Sequence, residues 1–220
     1  MGSHNPPASP SKLDSMSLTL PAGDFHAYLF DCDGTIADSM PLHFLAWDQA
    51  LREYGCTSFT EELFYAWGGR PVDAVVTELN LRDHLAIPIP EFAHRKESLY
   101  YNLIHQLQPV PEVLEQIHLQ HGKIPFAVVS GSTRESVVRS LETLGILNLF
   151  DTLVCAGDYR HPKPAPDPFL LAAQRLGVDP QHCLVFEDAD IGIQSATAAG
   201  MASVRIAQPH ERTPVAPLHT

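Results

Sequence analysis

Basic residues are scarce in this chain: 14 Lys and Arg stand against 26 Asp and Glu, a formal charge of -12. Because the acids are spread along the sequence, a phosphate-coated duplex is repelled rather than steered in, and no nucleic-acid partner is expected. Cysteine is also sparse, with four residues. Cys32, Cys56, Cys155 and Cys183 lie far apart without CxxC spacing, and buried reduced thiols suited to a cytoplasmic compartment are the expectation. No apolar run is long enough to cross a bilayer, so no membrane partner is expected. Internal repeats are missing, and HPKPAPDP is the one biased tract. The first 24 residues, opening MGSHNPPASPSKLDS, lack the charged-then-apolar layout of a signal peptide. Residues 1–24 read as a leader or tag-like tail, with Met16 as the natural start. The apolar content of 45% over 220 residues allows one core with an insertion.

What is present falls into a rhythm. Apolar runs at 26–30, 124–129, 183–186 and 202–206, with a weaker one at 153–156, are bounded by turn residues and read as buried parallel strands. Ser132-Thr133-Arg134-Glu135 predicts a capping box opening a helix to Leu144, stopped at Gly145. Asp167-Pro168 predicts an N-cap and N1 proline for a helix ending at Gly177. A third helix is expected over 189–199, closed by Gly200. Strand and helix alternating at this spacing predict right-handed βαβ units and a doubly wound parallel α/β sheet.

Residues 40–107 break the rhythm, with helical patterns only, at 42–54, 61–67, 72–79 and 91–107. A crossover of that length is expected to be an inserted helical cap domain. It leaves 25–39 and 108–208 as the core domain and 209–220 as a C-terminal tail. Departing just after Asp33, the cap overhangs the carboxyl edge of the sheet, where open α/β sheets bind ligands.

The chemistry gathers at that edge. The first strand ends in FDCDGTIADS, which sets Asp31 and Asp33 one residue apart before a glycine. An EF-hand loop fails here, because Ile36 and Leu42 stand where it needs glycine and glutamate. The second long strand ends in Ser130-Gly131-Ser132, whose amides and hydroxyls suit an anionic oxygen. Another runs into Glu187-Asp188, and Lys163 sits in the proline-stiffened loop between a strand and a capped helix. Taken singly, each has an ordinary reading as a turn residue, a helix N-terminal acid or a solvated loop. Together they crowd one rim with acids that need a cation in a partly desolvated cleft. With no histidine or cysteine among them, the all-oxygen set favours Mg2+ over zinc.

In order, DCDGT, SGS, KPAPDPF and FEDADIGIQ resemble the four motifs of the haloacid dehalogenase (HAD) superfamily, in its branch with a helical cap after the first motif. The likeness spans about residues 27–206, and PKPAPDPFLLAAQRLGV and CLVFEDADIGIQSATAAGM are most similar to the sugar phosphatases of that branch. The resemblance implies a Rossmann-like HAD core and Mg2+-dependent hydrolysis of a small phosphate ester, such as fructose 1-phosphate, through an aspartyl phosphate. It implies Asp31 as nucleophile and metal ligand. Asp33 would be general acid and then base, with its main-chain carbonyl on the metal. Asp188 would bind the metal directly and Glu187 through water, while Gly34, Ser130, Gly131, Ser132 and Lys163 hold phosphoryl oxygens.

Further inferences rest on the same resemblance. Relatives that dehalogenate lack the second aspartate, so Asp33 argues against that reaction. In the cap's glycine turn, Trp67 and Pro71 replace the lysine and arginine of the β-phosphoglucomutase pattern, which favours hydrolysis over transfer; Arg70 is the cation that could substitute. His43 matches the cap histidine that couples closure to the general acid. Trp47, one turn further, is expected in the cap core, and His118 and His121 on a solvated helix face. Capped relatives of this size imply a monomer. A catalytically silent binding protein on the same fold is the competing class, against which the intact set of Asp31, Asp33, Lys163 and Asp188 speaks.

Overall fold

Each apolar run of the sequence becomes a strand. The computed structural model describes residues 18–68 and 70–212; the leader assignment for 1–17, Met16 included, and the tail beyond 212 lie outside them. Along the chain, β1 (Ala27–Phe30) is followed by four helices, α1 (Met40–Glu53), α2 (Glu61–Ala66), α3 (Val72–Asp83) and α4 (Ile89–Leu103). Then come α5 (Pro111–Gln120), β2 (Phe126–Val129), α6 (Arg134–Thr143), β3 (Thr152–Val154) and α7 (Asp167–Leu176). The chain closes with β4 (Cys183–Glu187), α8 (Asp190–Ala198) and β5 (Ala202–Arg205). The strands form one parallel sheet in the order β3-β2-β1-β4-β5. No helix of the described residues is long and apolar enough to cross a membrane.

Side chains alternate across a strand, and here the alternation divides the core in two. Tyr28, Phe30, Phe126, Val128, Leu184 and Phe186 share one cluster with Val113 and Ile117 of α5 and Val137 and Leu141 of α6. The opposite face presents smaller residues, Ala27, Leu29, Ala127, Val129 and Val185, to Phe169, Ala172 and Ala173 of α7 and Ala196 of α8. A third cluster belongs to α1–α4, around Ala46, Trp47, Leu51, Val76, Leu79, Phe92 and Tyr100. That helical unit leaves and rejoins the sheet through two paired strands of chain: Asp38 N–H donates to the Gln108 carbonyl at 2.8 Å and Val110 N–H to the Ile36 carbonyl at 2.9 Å. All four cysteines are free and buried.

The sequence expectations need four adjustments. Thr133, not Ser132, caps α6, its hydroxyl accepting from the Ser136 N–H at 3.3 Å. Helix α7 opens on Asp167 itself, whose carboxylate accepts from the His161 backbone and faces its ring at 2.9 Å. Helix α5, implied by the helix face assigned to His118 and His121 but given no bounds, starts at Pro111, in the first turn where a missing N–H does no harm. Finally, parts of both expected tails pack: Leu18 and Leu20 lie against the sheet cluster, and Arg212 pairs with Asp38 at 3.1 Å.

Phe30 is fully buried, 4.6 Å from Phe186 and 5.5 Å from Phe126 between ring centroids. Phe30→Ala is expected to cost about 3–5 kcal/mol through lost transfer energy and a cavity. Urea denaturation should show a lower midpoint at unchanged slope; a loss below about 1 kcal/mol would contradict this packing.

Candidate active site

The register of the two central strands brings the acids together. Phe30 pairs with Phe186, and the ladder continues as Asp31 N–H donates to the Phe186 carbonyl at 2.9 Å. Asp31 therefore ends β1 beside Glu187, the last residue of β4. Lys163 fills the space between them. Its Nζ donates to Asp31 Oδ1 at 2.6 Å, to Glu187 Oε1 at 2.7 Å and to the Val129 carbonyl at 2.9 Å. These three bonds use all its protons. Burial disfavours the ammonium, but the charges of Asp31 and Glu187 outweigh burial and hold its pKa above the ordinary lysine value.

Glu187 is almost wholly buried, and its second oxygen accepts from the Ala189 N–H at 2.8 Å. Both of its oxygens are thus committed within the protein. It holds the lysine and the turn into α8, on a floor it shares with Asp31, Asp33 and Asp188. A methyl group on Gly192 would strike the Glu187 carboxylate, which Lys163 and the Ala189 N–H hold in place, so glycine lets α8 approach.

Asp188 receives the Thr35 hydroxyl at 3.3 Å and the Gln208 amide at 3.4 Å. Burial first, then the charge of Glu187, raises its pKa to about 7 against the opposing pull of Lys163. Asp31 is likewise raised well above its ordinary value by burial, with Lys163 opposing and Glu187 and Asp188 adding to the rise. Gly34 lies against this corner with φ at 87°, and a Cβ on it would strike the Asp188 carboxylate.

Asp33 has the opposite environment. Its Oδ1 accepts from the Ser39 hydroxyl at 2.8 Å and from His43 Nε2 at 3.3 Å, and its Oδ2 from the Ser132 hydroxyl at 2.8 Å. Burial works against the carboxylate, but the bonds and charge of His43, then Ser132 and Ser39, hold its pKa well below the usual range. The His43 ring is itself fixed by stacking on Tyr100, 3.9 Å between centroids.

Between cap and sheet lies a cavity of about 500 Å³. Asp31, Asp33, Ser130, Gly131, Ser132, Lys163, Glu187 and Asp188 line its floor, and His43, Trp47, Phe64, Trp67, Arg70 and Lys96 its cap side. Two expected phosphate holders are used differently. Gly34 N–H is taken by the Ala37 carbonyl at 2.8 Å, so this glycine serves the turn and the clearance for Asp188. Ser132 spends its hydroxyl on Asp33 and its N–H on Ser130 Oγ at 3.0 Å. Ser130, Gly131 and Lys163 remain at the floor, Lys163 acting by charge. Arg70 is drawn to one side, its guanidinium 4.7 Å over the Trp67 ring and 3.9 Å from Glu78. Ser39, Gln208 and Lys96 enter the site unannounced by any motif, and Thr35, though part of DCDGT, was assigned no role; the hydroxyl-rich DGTIADS turn was the one signal for Ser39 and Thr35.

Four carboxylates around one ammonium leave the floor in negative excess. Two of them are pushed toward protonation, by burial first and by neighbouring carboxylates next, and both line the cavity. An all-oxygen set of this kind fits a hard divalent cation. Fold and floor define an α/β protein of the enzyme type whose buried carboxylates gather at the topological switch point, β1 against β4, beneath a helical cap. The chain belongs to the haloacid dehalogenase-like hydrolase family, whose model matches residues 28–206. It is 39% identical to the fructose-1-phosphate phosphatase YqaB of Escherichia coli (strain K12) over 81% of this chain and 94% of that one. Validoxylamine A 7'-phosphate phosphatase of Streptomyces hygroscopicus subsp. limoneus is 30% identical, covering 83% of this chain and 86% of its own. Among solved structures, β-phosphoglucomutase of Clostridium difficile superposes with a TM-score of 0.72 at 25% identity, over 85% of this chain and 86% of that chain.

The raised pKa of Asp188 has a sign that can be tested. Between its ordinary value of 3.8 and about 7 the folded state binds the proton more tightly than the unfolded chain, so rising pH removes stability. In metal-free protein, the stability of the wild type relative to Asp188→Asn should fall from about pH 4 to about pH 7 and then level off. Urea titrations of both proteins in chelator measure it, and a pH-independent difference would refute the assignment.

Proposed function

We propose that this enzyme is a Mg2+-dependent phosphatase of small phosphorylated sugars, with fructose 1-phosphate the leading substrate, working as a monomer through an aspartyl phosphate on Asp31. The phosphoric monoester hydrolase class follows from its family and relatives. The observation that carries the mechanism is the unequal treatment of two neighbouring acids. Asp31 has one oxygen pinned to Lys163 while the other has no donor among the described residues, and Asp33, two residues on, is ringed by three donors.

In the first half-reaction Asp31 Oδ2 attacks phosphorus, the bond to the ester oxygen breaks, and Asp33 gives its proton to the departing alkoxide. In the second, water attacks the aspartyl phosphate as Asp33 removes its proton, freeing phosphate and restoring the Asp31 carboxylate. The donors on Asp33 favour its anion, the form the second half-reaction needs. To serve as the acid it has to give up at least one of them, and His43, carried on α1 of the cap, is the one that cap movement would withdraw. Ser130, Gly131 and the charge of Lys163 hold the phosphoryl oxygens. Asp31, Asp188 and the Asp33 main-chain carbonyl would hold Mg2+, which when bound neutralises charge between nucleophile and phosphoryl group. Residues 40–107 act as the cap domain over the core of 25–39 and 108–208. Transfer to a second position on the sugar would need a further anion site on the cap; Arg70, held by Trp67 and Glu78, is poorly placed for one.

A phosphate-release screen over phosphorylated sugars, with and without Mg2+, tests the proposal. Asp31→Asn should abolish turnover, and Asp33→Asn should slow it by about 10²–10⁴-fold while Mg2+ and phosphate still bind. Wild-type turnover in either variant would sink the assignment. Glucose 6-phosphate accumulating from β-glucose 1-phosphate without free phosphate would replace hydrolysis by transfer.

A further inference from the structure

A second group of ligand-type side chains meets at the amino ends of β1 and β4, the edge of the sheet opposite the catalytic floor. Ala27 pairs with Cys183, and one residue earlier His26 N–H donates to the His182 carbonyl at 2.8 Å. The two histidines are therefore cross-strand neighbours on one side of the ladder. Strands about 4.8 Å apart set their imidazoles face to face, and the centroids are indeed 4.6 Å apart with planes 10° from parallel. This juxtaposition follows from backbone register.

Asp24 completes the group. Its Oδ2 lies 3.1 Å from His26 Nε2, and its main-chain carbonyl accepts from His182 Nδ1 at 2.9 Å. A carbonyl can only accept, so the His182 proton sits on Nδ1 and the lone pair on Nε2. A backbone acceptor on the far nitrogen is the support that orients a metal-binding histidine. One ligand atom from each of Asp24, His26 and His182 lies within 4.8 Å of the other two. The His26 to Asp24 separation is already near the ~3.3 Å edge of a tetrahedron with bonds of ~2.0–2.1 Å.

We propose that Asp24, His26 and His182 form a second metal site, which takes a divalent transition ion such as Zn2+ on two imidazoles and a carboxylate, with solvent completing the shell. The ligand chemistry separates it from the catalytic floor: oxygen alone suits Mg2+ there, whereas imidazoles select zinc and its neighbours here. Asp24 and His26 are exposed, with side chains 83% and 54% accessible, so both rotate to close on an ion without backbone movement. Once bound, the ion ties the segment before β1 to the turn before β4, the two strands whose far ends carry Asp31 and Glu187. None of the residues invoked for hydrolysis takes part.

The test uses full-length protein freed of metal by chelation and then kept in excess Mg2+ to occupy the oxygen site. Co2+ is titrated in and followed by its visible d–d absorption, with Zn2+ as competitor. Wild type and Asp31→Asn should bind Co2+ equally, while His26→Gln and His182→Gln each weaken binding by about a hundredfold and leave phosphate release unchanged. Zn2+ should raise the thermal midpoint of the wild type and not that of His182→Gln. Wild-type Co2+ affinity in His182→Gln would overturn the site, and loss of the Co2+ signal in Asp31→Asn would assign the ion to the catalytic floor.

Discussion

One buried ammonium organises the carboxyl edge of this sheet. Lys163 takes acceptors from the ends of three strands, Asp31 after β1, Val129 on β2 and Glu187 on β4, and it also lies 5.0 Å over the ring of Phe169 from α7. A charge this deep is tolerable only when every proton is matched by an acceptor. The matching works in both directions. The lysine fixes which oxygen of Asp31 is occupied and so which is exposed, and its charge opposes the burial that raises the pKa of Asp31 and Asp188.

The sheet delivers the acceptors because alternation and register leave no choice. With Phe30 and Phe186 both turned into the aromatic cluster, the next residues of β1 and β4 arrive at the edge together. A slip of one residue would exchange the faces of β4 and drive Phe186 into a layer packed with alanine and valine. Catalytic geometry and core packing are thus the same constraint read at two ends of a strand. The glycines serve it locally: Gly34 and Gly192 each occupy a place where a methyl would strike Asp188 or Glu187.

Much of this was legible in the sequence because it depends on periodic or local signals. Apolar runs ended by turn residues gave the strand positions to within a residue or two, and the ordered motifs named Asp31, Asp33, Lys163 and Asp188. What stayed hidden are contacts between distant segments. Whether Ser132 caps α6 or binds Asp33 depends on the far end of β1, and with Thr133 available as a cap the serine is released to Asp33. Gln208, the last residue assigned to the core, and Arg212, read as tail, sit beyond the last strand, yet reach Asp188 and Asp38. Glu187 reads as a ligand by its place in a motif, and only its partners show that both oxygens are already engaged.

The same long-range contacts couple the cap to the chemistry. Asp33 stands at the foot of the outgoing linker, which hydrogen-bonds the returning one through Asp38 and Gln108. Of its three donors, Ser132 belongs to the core and Ser39 to the linker, while His43 rides on the first cap helix. One donor is thus supplied by the cap and two are not. His43 is also the partner that does most to hold the Asp33 pKa down against burial. In the proposed mechanism, that makes the proton on the general acid answerable to a residue of the cap as well as to the core.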